Sequence, residues 1–327
     1  MTANSLIDRL TSDDVIESAF AWVCRLRNGY SPNSDIWELR TRWEILKLRL
    51  TSDLAAGAFL FSPLRTVRVA GNTLEVWSAL DALVLKALTI VLTPAMEPLL
   101  SRRCYHLKGH GGAKAAVRAV AAQLPAHPFV YRSDAQCYYA SMDQEILYHL
   151  LQRFVTEKPI LRLLWSYLRR TVYDDGVYRE IQRGISLGCS LSPLMGALYL
   201  QPLDERMERI GCFYARFLDD WVVLATSRWK LRTAIRETNE VLETLRLKQH
   251  PLKTTIGRTA DGFDFLGYTI YTDGVGVAAS SIRQLAKHVT RLYEQDAAAS
   301  RIGDYVRRWM VWTAAGLTTK KPSPRAG

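Results

Sequence analysis

A pair of adjacent acids between two apolar runs is the strongest constraint on how this chain can fold. Asp219 and Asp220 follow the run Tyr214–Phe217 and precede the run Trp221–Ala225. Aromatic and branched residues on both sides of an Asp-containing turn predict a β-hairpin with the two acids at its tip. Such a pair, taken alone, is typical of a solvated turn, so a catalytic interpretation requires another acid in a matching setting.

Asp134 is that further acid. It ends the β-rich run 129–134, and a helix is predicted to follow, because apolar residues recur at helical spacing at Ile146, Leu147, Leu150, Leu151 and Phe154. Strand ends commonly carry catalytic groups. Converging carboxylates repel one another unless cations neutralise them, and Mg²⁺ prefers a few carboxylate oxygens completed by water and phosphate oxygens. We therefore expect Asp134 and the Asp219-Asp220 pair to meet around divalent cations.

A glycine-containing turn before a helix start is the next informative segment. Ser192-Pro193 predicts the start of a helix, with Leu194, Leu198 and Leu203 on one face and Gly211 at its end. The preceding Gly184 and Gly188 would leave backbone exposed, so that a base pair or a ribose could pack against it.

Together these segments resemble the reverse transcriptases, specifically the bacterial stand-alone enzymes of the group II intron-like type. The resemblance covers roughly residues 60–317. It is carried by Asp134 with Tyr139 after it, by the stretch from Arg183 to Pro193, by Phe217-Leu218-Asp219-Asp220, by Leu252-Lys253-Thr254 and by Phe265-Leu266-Gly267-Tyr268. It implies an α+β fold of the right-hand polymerase type, with fingers, a palm whose antiparallel sheet packs on helices, and a small helical thumb.

The resemblance also implies roles for individual residues. The implied catalytic residues are Asp134, Asp219, Asp220 and Lys253. The implied metal site, for two Mg²⁺ ions that Mn²⁺ could replace, comprises Asp134, Ala135, Asp219 and Asp220. Lys253 would assist the departure of pyrophosphate, and Tyr139 would exclude a 2′-hydroxyl.

Further implied contacts involve the nucleotide and the nucleic acid. Tyr139, Gly188 and Ser192 would bind the nucleotide, and because the segment 74–82 lacks the usual arginines, Arg65, Arg68 and Lys108 are the candidates for the triphosphate. Phe265, Leu266, Gly267 and Tyr268 would form the primer grip, although these aromatics could equally be ordinary core residues of a hairpin. The basic residues expected to follow the backbone of an A-form duplex are Arg283, Lys287, Arg291, Arg307 and Arg308.

Five parts are predicted along the chain. They are an N-terminal helical extension (1–57), fingers with the start of the palm (58–125), a palm with the catalytic segments and an inserted hairpin near Asp174-Asp175-Gly176 (126–272), a thumb (273–317) and a disordered tail (318–327). The apolar faces of the N-terminal extension are assigned to Trp22, Leu26, Trp37, Trp43, Ile45 and Leu48.

Charge and composition limit the partners. The chain carries 43 Lys and Arg residues against 32 Asp and Glu residues, and the net charge of +11 favours a polyanionic partner. The apolar stretch 80–96 contains Asp81, Lys86 and Pro94 and is expected to be too short to span a membrane. The five scattered cysteines predict reduced thiols in the cytoplasm. Cys104, His106 and His110 lack a completing Cys pair for zinc, so ordinary loop residues are expected there.

The favoured function is RNA-templated DNA synthesis by two-metal-ion nucleotidyl transfer. It needs dNTPs, an RNA template or a structured non-coding RNA, and a DNA or RNA primer. Two alternatives stay open: a polymerase-shaped RNA-binding protein that aids splicing or acts as a scaffold without copying, and a template-independent or protein-primed DNA polymerase. A role in a retroelement or in antiphage defence, and an accessory protein or a homo- or hetero-oligomer as partner, also stay open.

Overall fold

The computed structural model describes residues 5–69 and 72–317. Its α-helices are α1 (Leu6–Leu10), α2 (Asp13–Leu26), α3 (Asp35–Thr41), α4 (Trp43–Ala55), α5 (Ala79–Met96), α6 (Gly112–Gln123), α7 (Tyr138–Ser141), α8 (Gln144–Gln152), α9 (Lys158–Leu168), α10 (Ser192–Tyr199), α11 (Gln201–Ile210), α12 (Arg228–Thr244), α13 (Ala279–Glu294) and α14 (Ala299–Ala314). Its strands are β1 (Leu64–Val69), β2 (Asn72–Val76), β3 (Phe129–Asp134), β4 (Thr171–Asp174), β5 (Val177–Glu180), β6 (Phe213–Phe217), β7 (Asp220–Ala225), β8 (Thr255–Arg258), β9 (Phe263–Phe265), β10 (Tyr268–Tyr271) and β11 (Gly274–Val277).

The chain divides into two compact units, and both are discontinuous in sequence. The first comprises Met1–Leu100, Cys137–Tyr199 and Leu245–Leu247, and the second comprises Ser101–Gln136, Leu200–Thr244 and Lys248–Gly327. The five-part division predicted from the sequence stays a prediction, and the predicted tail (318–327) lies outside the described residues.

The first unit combines helices with a four-stranded sheet of order β2-β1-β4-β5. The predicted turn at Asp174-Asp175-Gly176 is confirmed, since β4 and β5 form an antiparallel hairpin around it, with Asp175 and Gly176 at positive φ. The sequence placed this hairpin inside the palm, and that placement stays a prediction. In the structure β4 pairs in parallel with β1, with Leu64 and Arg65 opposite Val172 and Tyr173.

Helix α5 is the central helix of the first unit. The Ser78 hydroxyl accepts a hydrogen bond from the backbone N–H of Asp81 and so caps its start. With a following 3₁₀ turn the helix runs from Ala79 to Leu99, which by length and composition is enough to cross a membrane, so the expectation that this stretch is too short was wrong. A buried core helix has the same length and composition, and 56% of the most apolar part of this helix is buried inside the protein.

The predicted helices of the N-terminal extension are confirmed as α1 to α4, but their apolar faces were partly wrong. Trp43 is buried, whereas Leu26, Ile45 and Leu48 are 58%, 66% and 74% exposed. Helix α4 buries Leu50 and Leu54 instead. Helical spacing of apolar residues therefore identified the helices without identifying the side that packs.

An antiparallel sheet of order β6-β7-β3-β8 organises the second unit. Successive side chains in a strand point to opposite faces. One face contributes Val130, Ala215, Val222 and Leu224 to a core that also contains residues of α6, β9 and β10. Helices α11 and α12 belong to the same unit, and α12 packs against β3 and β7.

The predicted helix after Ser192-Pro193 is confirmed at its start but is not continuous. It ends at Tyr199, and α11 begins at Gln201 with Pro202 in its first turn. A proline lacks the N–H that would continue the hydrogen-bond ladder of the preceding helix. Gly211 ends α11 in the left-handed conformation, as its position in the sequence predicts.

Candidate active site

The three acids singled out from the sequence lie at neighbouring strand ends of the second unit. Strands β6 and β7 form the predicted hairpin, in which Phe217 pairs with Asp220 and a two-residue turn of Leu218 and Asp219 joins the strands. Asp134 ends β3 directly opposite Asp220 on β7. The backbone N–H of Ala135 donates to the carbonyl oxygen of Asp219 at 3.2 Å, which ties the end of β3 to the turn.

Two of the three carboxylates are paired with cations. The Arg132 guanidinium donates to Asp220 through two nitrogens, Nε to Oδ1 at 3.0 Å and Nη2 to Oδ2 at 2.7 Å. The ammonium of Lys253 lies 2.8 Å from Oδ2 of Asp134. In the part of the chain that the structure describes, no cation lies within ion-pair distance of Asp219. The site therefore contains one carboxylate without an ion pair, on which the positive charge of Lys253 acts only from a distance.

The pKa values of Asp219 and Asp220 depend on burial and on the charges beside each carboxylate. Burial and the neighbouring carboxylates of Asp134 and Asp220 raise the pKa of Asp219 to about 6. Burial also raises the pKa of Asp220, and the guanidinium of Arg132 offsets part of that rise. Because a nearby positive charge favours the ionised form, a cation bound beside Asp219 would relieve the penalty that keeps its pKa high.

The donor set fits a divalent cation held mainly by water and substrate. Across residues 5–69 and 72–317 there is no cluster of three or more His, Cys, Asp or Glu side chains arranged to hold a metal ion. Asp220 is bound by two nitrogens of the largely buried Arg132 guanidinium, whereas Asp134 has one ion pair with a half-exposed ammonium that can move away. The carboxylates that can serve a cation are therefore those of Asp134 and Asp219, and Ala135 could contribute only its carbonyl oxygen. Mg²⁺ is typically bound by one or two carboxylates together with water and substrate phosphates. The residues present therefore fit such an ion.

The loop that carries Lys253 is fixed to the end of β3 by backbone hydrogen bonds. The N–H of His250 donates to the carbonyl oxygen of Asp134 at 2.7 Å, and the N–H of Gln136 donates to that of Lys248 at 2.8 Å. The hydroxyls of Ser133 and Thr254 lie 2.8 Å apart. These contacts position the ammonium of Lys253 at Asp134.

The side chains of His106 and Arg216 support the turn, and neither was predicted to have a role at this site. Leu218 has a positive φ of 56°, which is unfavourable for a residue with a branched side chain. Its N–H donates to Nδ1 of His106 at 3.0 Å, and its carbonyl oxygen accepts from Nη1 of Arg216 at 2.9 Å. His106 was expected to be an ordinary loop residue. The structure corrects this, because His106 binds the residue immediately before Asp219.

Arg216 is held in turn by a buried ion pair. Its Nε donates to Oδ1 of Asp204 at 2.7 Å, its Nη2 contacts Oδ2, and the hydroxyl of Tyr214 donates to the same carboxylate at 2.9 Å. Burial alone would lower the pKa of Arg216, but the carboxylate of Asp204 raises it well above its usual value. The guanidinium therefore stays charged.

The residues predicted to bind the nucleotide through its sugar and base belong to the first unit. Tyr139 is half-buried and packs on Gly196, where a Cβ would lie 3.2 Å from the tyrosine hydroxyl. Gly188 has a positive φ of 79° and nothing within 4 Å of a Cβ, so its backbone is open. Ser192 is buried, and its hydroxyl donates to the carbonyl oxygen of Ser186 at 2.6 Å. A nucleotide contact by that hydroxyl stays a prediction.

The three candidates for the triphosphate lie in two different units. Arg65 and Arg68 are exposed on β1 of the first unit, and Arg68 lies 3.8 Å from Asp174. Lys108 is exposed in a turn of the second unit. Their role stays a prediction.

The predicted primer grip is a tight hairpin whose aromatic side chains are buried. Phe265 and Tyr268 pair across the hairpin and belong to the core of the second unit. Leu266 and Gly267 form the turn with φ values of 49° and 84°, as a type I′ turn requires. The Tyr268 hydroxyl donates to the carbonyl oxygens of Trp312 and Thr313 at the end of α14. A contact of this segment with a primer stays a prediction.

The predicted thumb is helical and exposes its basic residues. Helices α13 and α14 present the side chains of Arg283, Lys287, Arg291, Arg307 and Arg308 to solvent. Among these, Arg307 pairs with Asp304 at 3.0 Å. Contact of these residues with a duplex stays a prediction.

A comparison with protein families gives one match over most of the chain. The family described as "Reverse transcriptase (RNA-dependent DNA polymerase)" matches residues 67–270, which contain every implied catalytic residue.

Individual relatives are distant. Protein YkfC of Escherichia coli (strain K12) is 22% identical over 283 residues, which cover 73% of this chain and 74% of that protein. The putative COX1/OXI3 intron 1 protein of Saccharomyces cerevisiae is 18% identical over 211 residues, covering 63% of this chain and 25% of the yeast protein. An uncharacterised 91 kDa protein in the cob intron of Schizosaccharomyces pombe is 22% identical over 167 residues, covering 50% of this chain and 21% of that protein.

Solved structures with similar chains include the Cas6-RT-Cas1–Cas2 complex. The match to a partial complex has a TM-score of 0.47 at 20% identity and covers 74% of this chain and 43% of that chain. A second structure of the complex matches equally well and is covered to 27%. The chain thus spans less than half the length of the matched chains in these structures, and about a quarter or less of the length of the two yeast intron proteins.

Proposed function

Because the chain belongs to the reverse transcriptase (RNA-dependent DNA polymerase) family, we propose that it copies an RNA template into DNA by nucleotidyl transfer at Asp134, Asp219 and Asp220. The fold that the sequence predicted, an α+β polymerase with an antiparallel palm sheet packed on helices, agrees with this membership. The observation that carries the proposal is the pairing of Asp134 with Asp220, which brings acids 86 positions apart to adjacent strand ends.

Each acid has a distinct part in the proposal. Asp134 and Asp219 hold the divalent cations that the family uses, for which we propose Mg²⁺, with Mn²⁺ as a substitute. Bound there, such ions would activate the primer 3′-hydroxyl and stabilise the leaving pyrophosphate. Asp220 is held by Arg132 and supports the turn. This division is favoured by the geometry, because a carboxylate already bound by two guanidinium nitrogens is a poor additional ligand.

Lys253 is proposed to have two successive roles, first as the ion-pair partner of Asp134 and then as a proton donor. Before substrate binds, its ammonium neutralises Asp134 at 2.8 Å, and its side chain remains 48% exposed. With divalent cations bound at Asp134, the flexible ammonium of Lys253 would be free to turn toward the triphosphate and to donate a proton to the departing pyrophosphate. Tyr139 and the open backbone at Gly188 are proposed to contact the sugar and base.

The decisive experiment measures incorporation of labelled dNTPs by protein purified together with its bound RNA. Wild type is compared with Asp219→Asn and, as a matched control, with Asp273→Asn, which changes an exposed acid in the turn between β10 and β11. We expect incorporation by wild type and by the control, none by Asp219→Asn, and equal RNA binding by all three. Chelation of divalent cations should abolish incorporation, and Mg²⁺ should restore it.

The other outcomes separate the alternatives. Abundant bound RNA without incorporation by wild type would identify an RNA-binding protein that does not copy. Incorporation that persists after the RNA is digested would identify a template-independent enzyme. Phage plating on cells that carry wild type or Asp219→Asn distinguishes a defence role from a retroelement role. A cytoplasmic location stays a prediction that cell fractionation checks.

A further inference from the structure

A groove on the second unit lies at the far end of the palm sheet from the acids. It is bounded by the start of α12 and by β8, and it consists of two adjoining cavities of about 460 and 580 Å³ that share Phe129 and Arg258. Phe129 begins β3 and Asp134 ends it, so the groove is about 16 Å along the strand from the proposed catalytic site. The proposed function does not use this groove.

Three arginines and an apolar wall line the groove. Arg228 and Arg232 lie on one face of α12 with Leu231 and Ile235, and Arg258 lies on β8. The guanidinium of Arg228 stands 5.9 Å from the centre of the Phe129 ring, which holds it over the groove. In the stretches 5–69 and 72–317, none of the three arginines has a carboxylate within ion-pair distance. Asp261 also lines the groove and contributes one negative charge. The three arginines outnumber it, so the lining carries an excess of positive charge.

The groove borders an open edge of the sheet. Strand β8 pairs with β3 on one side, and no described strand pairs with its other side. Register places Ile256 opposite Tyr131 and Arg258 opposite Phe129, so these four side chains share the face on which α12 packs. Ile256 is 55% exposed, although it stands beside buried residues of that face. An unpaired strand edge offers backbone groups that an additional strand can satisfy.

We propose that this groove docks an extended acidic segment of a partner protein, which adds to β8 as a further strand. Side chains at every second position of that segment would face α12, with carboxylates at Arg228, Arg232 and Arg258 and an apolar residue between them against Ile256 and Leu231. An RNA backbone could also satisfy the arginines, but it would leave the strand edge and the apolar wall unused. The combination of a free edge, an apolar wall and unpaired arginines therefore favours a peptide strand.

The test uses a defined probe on the full-length protein. The probe is a pool of fluorescein-labelled eight-residue peptides in which Glu, an apolar residue and Glu occupy alternate positions and Thr fills the rest. The control pool carries Gln in place of Glu. We expect the Glu pool to bind with at least tenfold higher affinity than the Gln pool by fluorescence anisotropy, and to slow hydrogen exchange at the amides of residues 255–258.

Variants connect the binding to the groove. Arg232→Glu and Arg258→Glu should each weaken binding of the Glu pool at least tenfold, whereas Arg25→Glu, which changes an exposed arginine of α2, should not. A pool with Lys in place of Glu should bind the double variant Arg232→Glu, Arg258→Glu better than wild type, a rescue that misfolding cannot produce. Incorporation of dNTPs by these variants should equal that of wild type.

Three results would overturn the proposal. The first is equal binding of the Glu and Gln pools, and the second is binding of the Glu pool that survives both charge reversals. The third is absence of peptide binding together with loss of affinity for a single-stranded RNA 20-mer in the charge-reversed variants. That third result would assign the arginines to nucleic acid instead.

Discussion

The substitution Asp204→Asn measures how strongly the turn that carries Asp219 depends on the buried ion pair behind it. The side chains of Arg216 and Asp204 are 0% and 1% exposed. Removing one partner of a buried pair leaves an uncompensated charge, which typically costs about 3–5 kcal/mol. For a unit of this size, about 2–4 °C is lost per kcal/mol, so the melting temperature of the second unit should fall by about 10 °C.

Activity should fall as well as stability. Arg216 donates to the carbonyl oxygen of Leu218, and a guanidinium without its carboxylate will move toward water. We expect incorporation of dNTPs to fall at least tenfold in Asp204→Asn at a temperature where the variant is still folded. Thermal unfolding followed by tryptophan fluorescence gives the stability change, and Asp304→Asn, which breaks an exposed pair, should shift the melting temperature by no more than about 2 °C.

A double variant separates the two effects. Asp204→Leu combined with Arg216→Met removes both charges and leaves the hydroxyl of Tyr214 without its acceptor, which costs about 1–2 kcal/mol. The double variant should therefore be more stable than Asp204→Asn, yet its incorporation should stay low, because Leu218 has lost a donor. A loss below about 1 kcal/mol in Asp204→Asn, or full activity in the double variant, would refute the reasoning.

Three further predictions concern single side chains. Arg132→Met should lower kcat about 10–100-fold in a steady-state assay, because Asp220 loses both of its donors. The kcat of Arg132→Lys should lie between that of Arg132→Met and that of wild type, since an ammonium cannot bind both oxygens in parallel. In metal-free protein the raised pKa of Asp219, about 6, means that the folded state binds a proton more tightly than the unfolded chain, so the free energy of unfolding should decline between about pH 4 and pH 6. Above that window Asp219→Asn should be more stable than wild type by about 1–2 kcal/mol, after allowance for solvent screening, and equal urea midpoints at pH 8 would contradict this. Gly267→Ala should cost at least about 1 kcal/mol, because φ is 84° and a Cβ would lie 2.9 Å from a hydroxyl oxygen, whereas Gly276→Ala, where a Cβ meets nothing within 4 Å, should cost less.

Local patterns were enough to predict the elements that carry the site. The strands on either side of Asp219 and the strand that ends at Asp134 could be read from runs of β-favouring residues, and their turns from Asp and Gly. The order of the segments then indicated that these acids meet, and β3 and β7 do place Asp134 opposite Asp220.

Contacts between distant residues could not be predicted in the same way. Nothing in the sequence near Arg132 or His106 distinguishes them from other arginines and histidines, because their function depends on Asp220 and Leu218, which lie 88 and 112 positions away. Exposed apolar residues such as Ile45 and Leu48 were misassigned for a related reason. Spacing places them on a helix face, but packing decides whether that face is covered.

Because both units are discontinuous in sequence, segments that pack together are synthesised at different times. The chain passes from one unit to the other at 100/101, 136/137, 199/200, 244/245 and 247/248. Strand β3 lies between β7 and β8 in its sheet, yet β7 begins 86 residues after β3 ends. At translation rates of about 5–20 residues per second, β3 waits roughly 4–17 s with both edges unpaired. In that interval the nascent chain presents a strand with two unpaired edges, so chaperones that shield such edges should bind the growing polypeptide between the emergence of Asp134 and that of Ala225.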